Sequence, residues 1–246
     1  MRVADGVEAL ELTMDFMGGP SVIHPTLVWD DQDAILIDTG MPGQLEALRE
    51  ACRRAGVPLE RLTRIVLTHQ DIDHIGGLPE LLGAVGPDVE VLAHPLDRPY
   101  IEGEKTPIKM NPERMAERIK DLPADRRAQV ESVMAHPPHA KVDRTVEDGE
   151  VLPYCGGITV IHTPGHTPGH ISLYLQRSRT LVAGDALTSE GGRLEGPRAG
   201  ATPDMDTAVR SLARLVPLDI ASAITYHGGV VEQGAAQRLA ELAKPD

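Results

Sequence analysis

Thr68-His69-Gln70-Asp71-Ile72-Asp73-His74-Ile75-Gly76-Gly77 packs two histidines and two aspartates into six residues, directly after the apolar run Ile65-Val66-Leu67. The apolar run reads as a β-strand, and a strand that ends in such a cluster delivers several side chains to one point in space. Imidazole nitrogen and carboxylate oxygen are the donors that catalytic zinc and related transition metals take. The bland alternative is a polar loop with coincidental histidines, and four donors at this spacing argue against it. Gly76 and Gly77 are expected to let the backbone turn tightly and to start the next helix.

Working outward, the same pattern recurs. The strand Ile158 to Ile161 runs into His162-Thr163-Pro164-Gly165-His166-Thr167-Pro168-Gly169-His170. The strand Thr180 to Ala183 ends in Gly184-Asp185, and Ile220 to Tyr226, read as the last strand, ends in His227-Gly228-Gly229. Four strand ends that each carry a donor can converge on one rim of a sheet, and a metal is the economical reason for all four. Upstream, the buried strand Ala34 to Ile37 ends in Asp38-Thr39-Gly40. An acidic residue there either supports the site from behind or serves the turn.

Between these points the chain alternates strands with helices. Residues 7–14 suit an edge strand, Ser21 to Trp29 a strand, Asp30-Asp31-Gln32 a hairpin turn, and Arg61 to Thr68 and Val89 to Ala93 further strands. Pro42 at an early helical position and apolar residues at 45, 48, 52 and 55 predict a helix to about Ala55. Helices are also expected over Leu78 to Val85, from Thr202-Pro203 with Val209, Leu212 and Leu215 inward, and at the end with Ala235, Leu239 and Leu242 inward. Ile171 to Leu175 and the Thr180 strand read as a hairpin, and residues 186–201 as a Gly-rich loop.

Residues from about 97 to 143 break that rhythm. Asn111-Pro112 reads as a cap and first helical position, with Met115, Ile119 and Leu122 on one face. A second helix over Asp125 to Ala135 turns Val130 and Met134 inward. About 45 residues bury little core alone, so the segment reads as a helical insertion covering the site of a single domain spanning 1–246. Its methionines, Met110, Met115 and Met134, suit either an apolar lid or core filling. Tyr100 could reach a substrate, Tyr226 packs in the sheet, His94 either lines the pocket or is structural, His136 and His139 fall on a proline-marked surface turn away from the ligands, and His162 reads as a non-ligand.

The chain has 246 residues and a formal charge of −13. That charge argues against nucleic-acid or anionic-membrane partners, which need clustered Lys and Arg. Cys52 and Cys155 form no disulfide framework, and Cys52 falls at helical spacing for a buried thiol. The first residues lack the apolar run of a signal peptide, and no stretch approaches the ~20 apolar residues that span a membrane. A soluble, cytoplasmic protein is expected, as monomer or homodimer, acting on a small molecule.

Taken together, the Asp38-Thr39-Gly40 strand end, the His69 to His74 cluster, His166, Asp185 and His227 resemble, in order, the metallo-β-lactamase superfamily of metal-dependent hydrolases. The resemblance implies a four-layer αββα sandwich with the metal centre at one edge between two sheets. It implies that His69, Asp71 and His166 hold one divalent ion and Asp73, His74 and His227 a second, with Asp185 bridging. His170 and Asp38 would stand behind these ligands. The usual motif is H-x-H-x-D-H, and here Asp71 replaces its middle histidine. Three carboxylates and a hydroxide then balance two divalent ions, whereas the usual set leaves one net positive charge. A less positive site acidifies bound water less, and a harder oxygen ligand moves preference from zinc towards manganese or iron. The rival is that Asp71 does not ligate and the first site is weak or empty.

The implied activity is hydrolysis of an ester-like bond, in a lactone, thioester or phosphoester, by a metal-bound hydroxide that Asp73 orients. Within the family, Thr188 stands where signalling lactonases carry tyrosine. Little chain follows His227 to form a glutathione-binding helical region, and exported β-lactamases carry a signal. A mono-iron dioxygenase of the persulfide dioxygenase type and a non-catalytic metal-binding protein on the same fold are the competing expectations.

Overall fold

The structure is a computed structural model and describes residues 1–15, 20–110 and 112–244; Asn111, expected as a helix cap, lies outside them. Strands β1 (Arg2–Ala4), β2 (Val7–Ala9), β3 (Leu12–Asp15), β4 (Pro20–Ile23), β5 (Thr26–Trp29) and β6 (Ala34–Ile37) lead to helix α1 (Leu45–Arg54). Then come β7 (Arg64–Val66), α2 (Ile72–Ile75), α3 (Leu78–Val85), β8 (Glu90–Ala93), α4 (Arg98–Ile101), α5 (Pro112–Ile119) and α6 (Ala124–Ala135). The remainder runs β9 (Arg144–Thr145), β10 (Val151–Leu152), β11 (Ile158–His162), β12 (Ile171–Leu175), β13 (Thr180–Val182), β14 (Thr188–Glu190) and β15 (Arg193–Glu195). It closes with α7 (Met205–Leu212), β16 (Ser222–Thr225), β17 (Gly229–Val231) and α8 (Ala235–Leu242).

Among the described residues, one sheet has seven strands in the order β1-β2-β5-β6-β7-β8-β9, and the other six, β10-β11-β12-β13-β16-β17. The period of two along each strand explains how they stack. In β6, Ile35 and Ile37 face the second sheet, while Ala34 and Leu36 face the helices. β7 repeats this with Val66 inward and Ile65 outward, and β8 with Leu92 inward and Val91 outward. From the other sheet, Val160, Leu173, Val182 and Ile224 complete the inner layer. Leu48 and Cys52 of α1 and Leu81 of α3 cover one outer face, and Leu212 of α7 and Leu239 of α8 cover the other. The four-layer αββα arrangement is therefore present. Because both faces of each sheet are covered, its central strands are continuously apolar, as Ala34–Ile37 is. Cys52 is fully buried, and burial pushes its thiol up to about 12. No described helix is long and apolar enough to cross a membrane.

Several local expectations need correction. The stretch Ser21 to Trp29 is two strands, because it breaks at His24-Pro25: Pro25 has no N–H to give a ladder, and its carbonyl accepts from Leu10 N–H. β4 pairs with β3 in a separate two-stranded sheet, while β5 joins the large one. Residues 7–14 break likewise, and β2 lies between β1 and β5 rather than at an edge. Pro42 precedes α1, since Gly43 at φ +78° interrupts the chain and Gln44 is the cap. Residues 186–201 contain the hairpin β14–β15. Its turn residues Gly191 and Gly192 both have positive φ, which matches the twist of paired strands. α7 starts at Met205, capped by Asp204 accepting from Thr207 N–H, not at Thr202. β17 follows His227, so the Ile220 to Tyr226 strand is not the last.

Candidate metal centre

Parallel neighbours β6 and β7 in one sheet, and β13 and β16 in the other, deliver their carboxyl ends to the same rim. Asp38 follows β6, His69 to His74 follow β7, Asp185 follows β13 and His227 follows β16; His166 arrives on the loop after β11. Two groups of donor atoms form there: His69, Asp71, His166 and Asp185, and beside them Asp73, His74 and His227.

Within the first group, Asp71 Oδ2 lies 3.3 Å from His69 Nε2 and 3.0 Å from His166 Nε2. Within the second, Asp73 Oδ2 lies 3.2 Å from His227 Nε2 and 3.9 Å from His74 Nε2. Asp185 stands between them, with Oδ2 3.2 Å from His166 Nε2 and 3.5 Å from His227 Nε2, and Oδ1 3.4 Å from His74 Nε2. All seven side chains named from the sequence therefore meet.

Fixed partners aim these donors. Asp38 is buried, and its carboxylate accepts from Thr68 N–H at 2.8 Å, Thr68 Oγ1–H at 2.7 Å and His74 Nδ1 at 2.8 Å. With Nδ1 committed to Asp38, Nε2 is the atom His74 presents to Asp185. Asp38 adopts φ +63°, a left-handed conformation uncommon outside glycine, and its three hydrogen bonds hold it there. His170 Nε2 accepts from Asp185 N–H at 2.9 Å, and its Nδ1 pairs with Thr163 Oγ1. Burial, together with the neighbouring His69 and His166, holds His170 well below the usual histidine range, so it remains a neutral acceptor. Both residues thus touch the donors from behind.

Gly76 and Gly77 do not serve a tight turn, since both have ordinary helical φ. They serve close approach. A Cβ on Gly77 would sit 2.3 Å from Thr39 O, and one on Gly76 2.4 Å from Ile72 O and from the Pro42 ring. Bare backbone here lets the loop after β6 lie against the start of α3, where Thr39 N–H and Oγ1–H donate to His74 O.

Sequence reading missed three contributors. Buried Asp97 accepts from Gln70 N–H, Thr167 Oγ1–H and Gly169 N–H, tying the His69 loop to the His166 loop. It follows β8 as Asp38 follows β6, so the same strand-end rule applied to His94-Pro95-Leu96-Asp97 would have found it. Tyr226 stacks on His74 with ring centroids 3.8 Å apart, and its hydroxyl donates to Asp73 O; its packing was expected, its partners were not. Lys109, between α4 and α5, places Nζ 2.5 Å from Asp71 Oδ2 and 2.5 Å from His166 Nε2. No local sequence signal marks it. His94 and His162 stack on each other with centroids 4.2 Å apart, away from both groups.

The electrostatics favour cations. For His74, burial opposes charge, yet Asp38, Asp185 and Asp73 outweigh it and raise the imidazole well above its usual range. The same balance, with Asp185 and Asp73, lifts His227 to about 9. For Asp71, burial is overcome by His69, Lys109 and His166, and the carboxyl is held well below the usual range. A field that draws protons onto buried imidazoles draws a metal ion equally well. His69 Nε2, His74 Nε2 and Asp185 Oδ1 are buried and make no hydrogen bond among the described residues. Orphaned buried polar atoms cost about 1–3 kcal/mol each, and these three, spread over the two donor groups, fit bound cations.

Beside the two groups lies a cavity of about 120 Å³. Asp71, Asp73 and Lys109 form its polar end, and Met110, Met115, Val130 and Met134 its apolar wall. The wall belongs to a small core of its own, in which Met115, Ile119 and Val130 pack together with Leu122 and Met134. The expected α5 and α6 helices and their inward faces are thus present. Tyr100 is half-buried, and the Lys105 ammonium sits over its ring.

Comparison with known proteins agrees with this geometry. The sequence model described as "Metallo-beta-lactamase superfamily" matches residues 18–227. A probable metallo-hydrolase of Bacillus subtilis, YflN, is 35% identical over 79% of this chain and 75% of its own. Hydroxyacylglutathione hydrolase GloC of Haemophilus influenzae is 30% identical over 87% of this chain and 89% of its own. Among solved structures, a metallo-beta-lactamase family protein from Thermus thermophilus superposes with a TM-score of 0.73 at 24% identity, covering 98% of this chain and 79% of that one.

Proposed function

The chain belongs to the metallo-β-lactamase superfamily as a metal-dependent hydrolase, and from that premise we propose that it cleaves an ester-like bond in a small molecule. The observation that carries this reading is the convergence on a carboxylate-rich rim of buried His69 Nε2, His74 Nε2 and Asp185 Oδ1, which make no hydrogen bond among the described residues. His69, Asp71 and His166 would hold one divalent ion, Asp73, His74 and His227 a second, and Asp185 would serve both. Zinc is the first choice, and manganese or iron is the alternative that the added carboxylate of Asp71 admits. Bound there, such ions supply Lewis acidity towards a carbonyl or phosphoryl oxygen and acidify water.

The chain's own residues do the rest. Asp73 stands at the cavity's polar end, where its carboxylate accepts a hydrogen bond from the attacking water and orients it. Tyr226, bonded to Asp73 O and stacked on His74, fixes the main chain from which that carboxylate projects. The helical segment over 97–143 shapes access: the methionine and valine wall takes the apolar part of the substrate and excludes water from the scissile bond. Among lactone, thioester and phosphoester, a thioester is favoured, because one relative is a hydroxyacylglutathione hydrolase and hydroxyacyl-glutathione is a thioester.

Elemental analysis of protein purified without chelators or metal-affinity resin, followed by assay on thioester, lactone and phosphoester panels, tests the proposal. Divalent metal together with turnover of one ester class is expected. Full turnover after the metal has been stripped would overturn it.

A further inference from the structure

We infer that Lys109 is a built-in competitor for the first metal position, so that the two halves of the centre load unequally. This rests on the metal-binding reading above and adds an order to it. The ammonium lies 2.5 Å from both Asp71 Oδ2 and His166 Nε2, two of the donor atoms that a first ion would use. An ammonium and a divalent ion cannot share those lone pairs: both need the same oxygen and the same nitrogen at close range, and their charges repel.

The placement is built into the backbone. Ile108 N–H donates to the side-chain oxygen of Gln70, a fully buried residue that sits between His69 and Asp71. Met110 N–H closes a turn onto Pro107 O. The Gln70 main chain is in turn fixed by Asp97. The turn carrying Lys109 is therefore hung from the loop that carries the donors, and the lysine side chain is four-fifths covered.

The charges explain why Lys109 meets Asp71. The rim holds three carboxylates, Asp71, Asp73 and Asp185. One divalent ion and one ammonium neutralise them. Asp71 stands where the family's usual motif has a neutral histidine, and an ammonium would not be held there by an imidazole alone. Among the described residues the second group meets no ammonium or guanidinium: His74 and His227 face Asp73 and Asp185, with Asp38 behind. The second position should fill first and tightly, and the first only when an ion displaces Lys109.

Titration of stripped full-length protein with zinc, followed by calorimetry and by competition with a chromophoric chelator, tests this. Wild type is expected to show two binding events. In Lys109→Met, the weaker event tightens by about 10- to 100-fold, the range in which groups around ligands change metal affinity, while the tighter event stays unchanged. Lys109→Arg, which keeps the charge, retains the wild-type gap, and a melting curve for each variant confirms folding. Equal affinities in wild type and Lys109→Met, or equal tightening of both events, would overturn the inference and leave the metal-binding reading standing. Absence of any zinc binding in all three proteins would overturn both.

Discussion

Two buried aspartates at equivalent strand ends hold the two halves of the centre by different means. Asp38, after β6, grips a donor side chain directly through His74 Nδ1. Asp97, after β8, touches no donor side chain; it fastens the Gln70 and Gly169 backbones and the Thr167 hydroxyl, and so fixes where two loops lie. In the second half the ring orientation of a donor is set, with Tyr226 closing its other face. In the first half the His69 and His166 rings meet the Thr68 and Thr202 hydroxyls and the loops are set by Asp97, while the Asp71 side chain is met by a lysine from outside the sheet. One half therefore belongs to the sandwich, and the other is shared with the helical segment.

The most severe test of this division lies at the reaction itself. Asp73→Ala should lower turnover by about 10³-fold, the scale of a lost proton acceptor, with the fold intact by circular dichroism. Unchanged activity would mean that Asp73 does not orient the attacking water.

Next come the two anchors. Asp97→Ala strands three buried donors and should destabilise the chain by roughly 3 kcal/mol in urea unfolding, with the loss spread over the whole fold. Asp38→Ala should cost about as much. Asp38→Asn separates the two roles further, since asparagine tolerates the left-handed backbone. It should recover most of that stability yet weaken the tighter zinc-binding event by about 10- to 100-fold, because an amide no longer sets the charge behind His74. If Asp38→Asn weakened only the looser event, the division between the halves would be misplaced.

The smallest effect lies beneath the Asp97 anchor. Burial, then the facing His162, push His94 down to about 4 despite Asp97 and Asp148, and the His94 carbonyl accepts from Asp97 N–H. The unfolded histidine titrates near 6.5, so it binds the proton more readily than the folded one. The His94 contribution to stability is therefore level above pH 6.5 and falls as pH drops from 6.5 towards 4, by about 1 kcal/mol at pH 5.5. Melting curves of wild type and His94→Gln across this window should diverge on the acid side only.

The donors were legible in the sequence because each follows a strand within a few residues, and the donor types have little other reason to cluster. β6 was legible as a short apolar run bounded by turn signals, and α5 and α6 of the 97–143 segment through helical periodicity; α4 was not expected. The Gly191-Gly192 turn carried a hairpin signal that a Gly-rich loop reading passed over. Other features could not be read locally. The break at Pro25 separates two sheets, and which sheet a short strand joins depends on partners far along the chain. The small size of Gly77 answers to Thr39 O, and Lys109 answers to Asp71 and His166, contacts that no window of sequence contains. Asp97 lay between, visible by the rule applied to Asp38 but without a histidine beside it to draw the eye.

The contacts His166–Asp71, His227–Asp73 and His74–Asp185 each run from the first half of the chain to the second. During synthesis the His69 to Asp73 cluster therefore leaves the ribosome long before β13 and β16 can complete it. Until then the nascent chain carries a half-built, strongly chelating loop that any passing cation can meet. The complete donor set can therefore form only once the second sheet is in place.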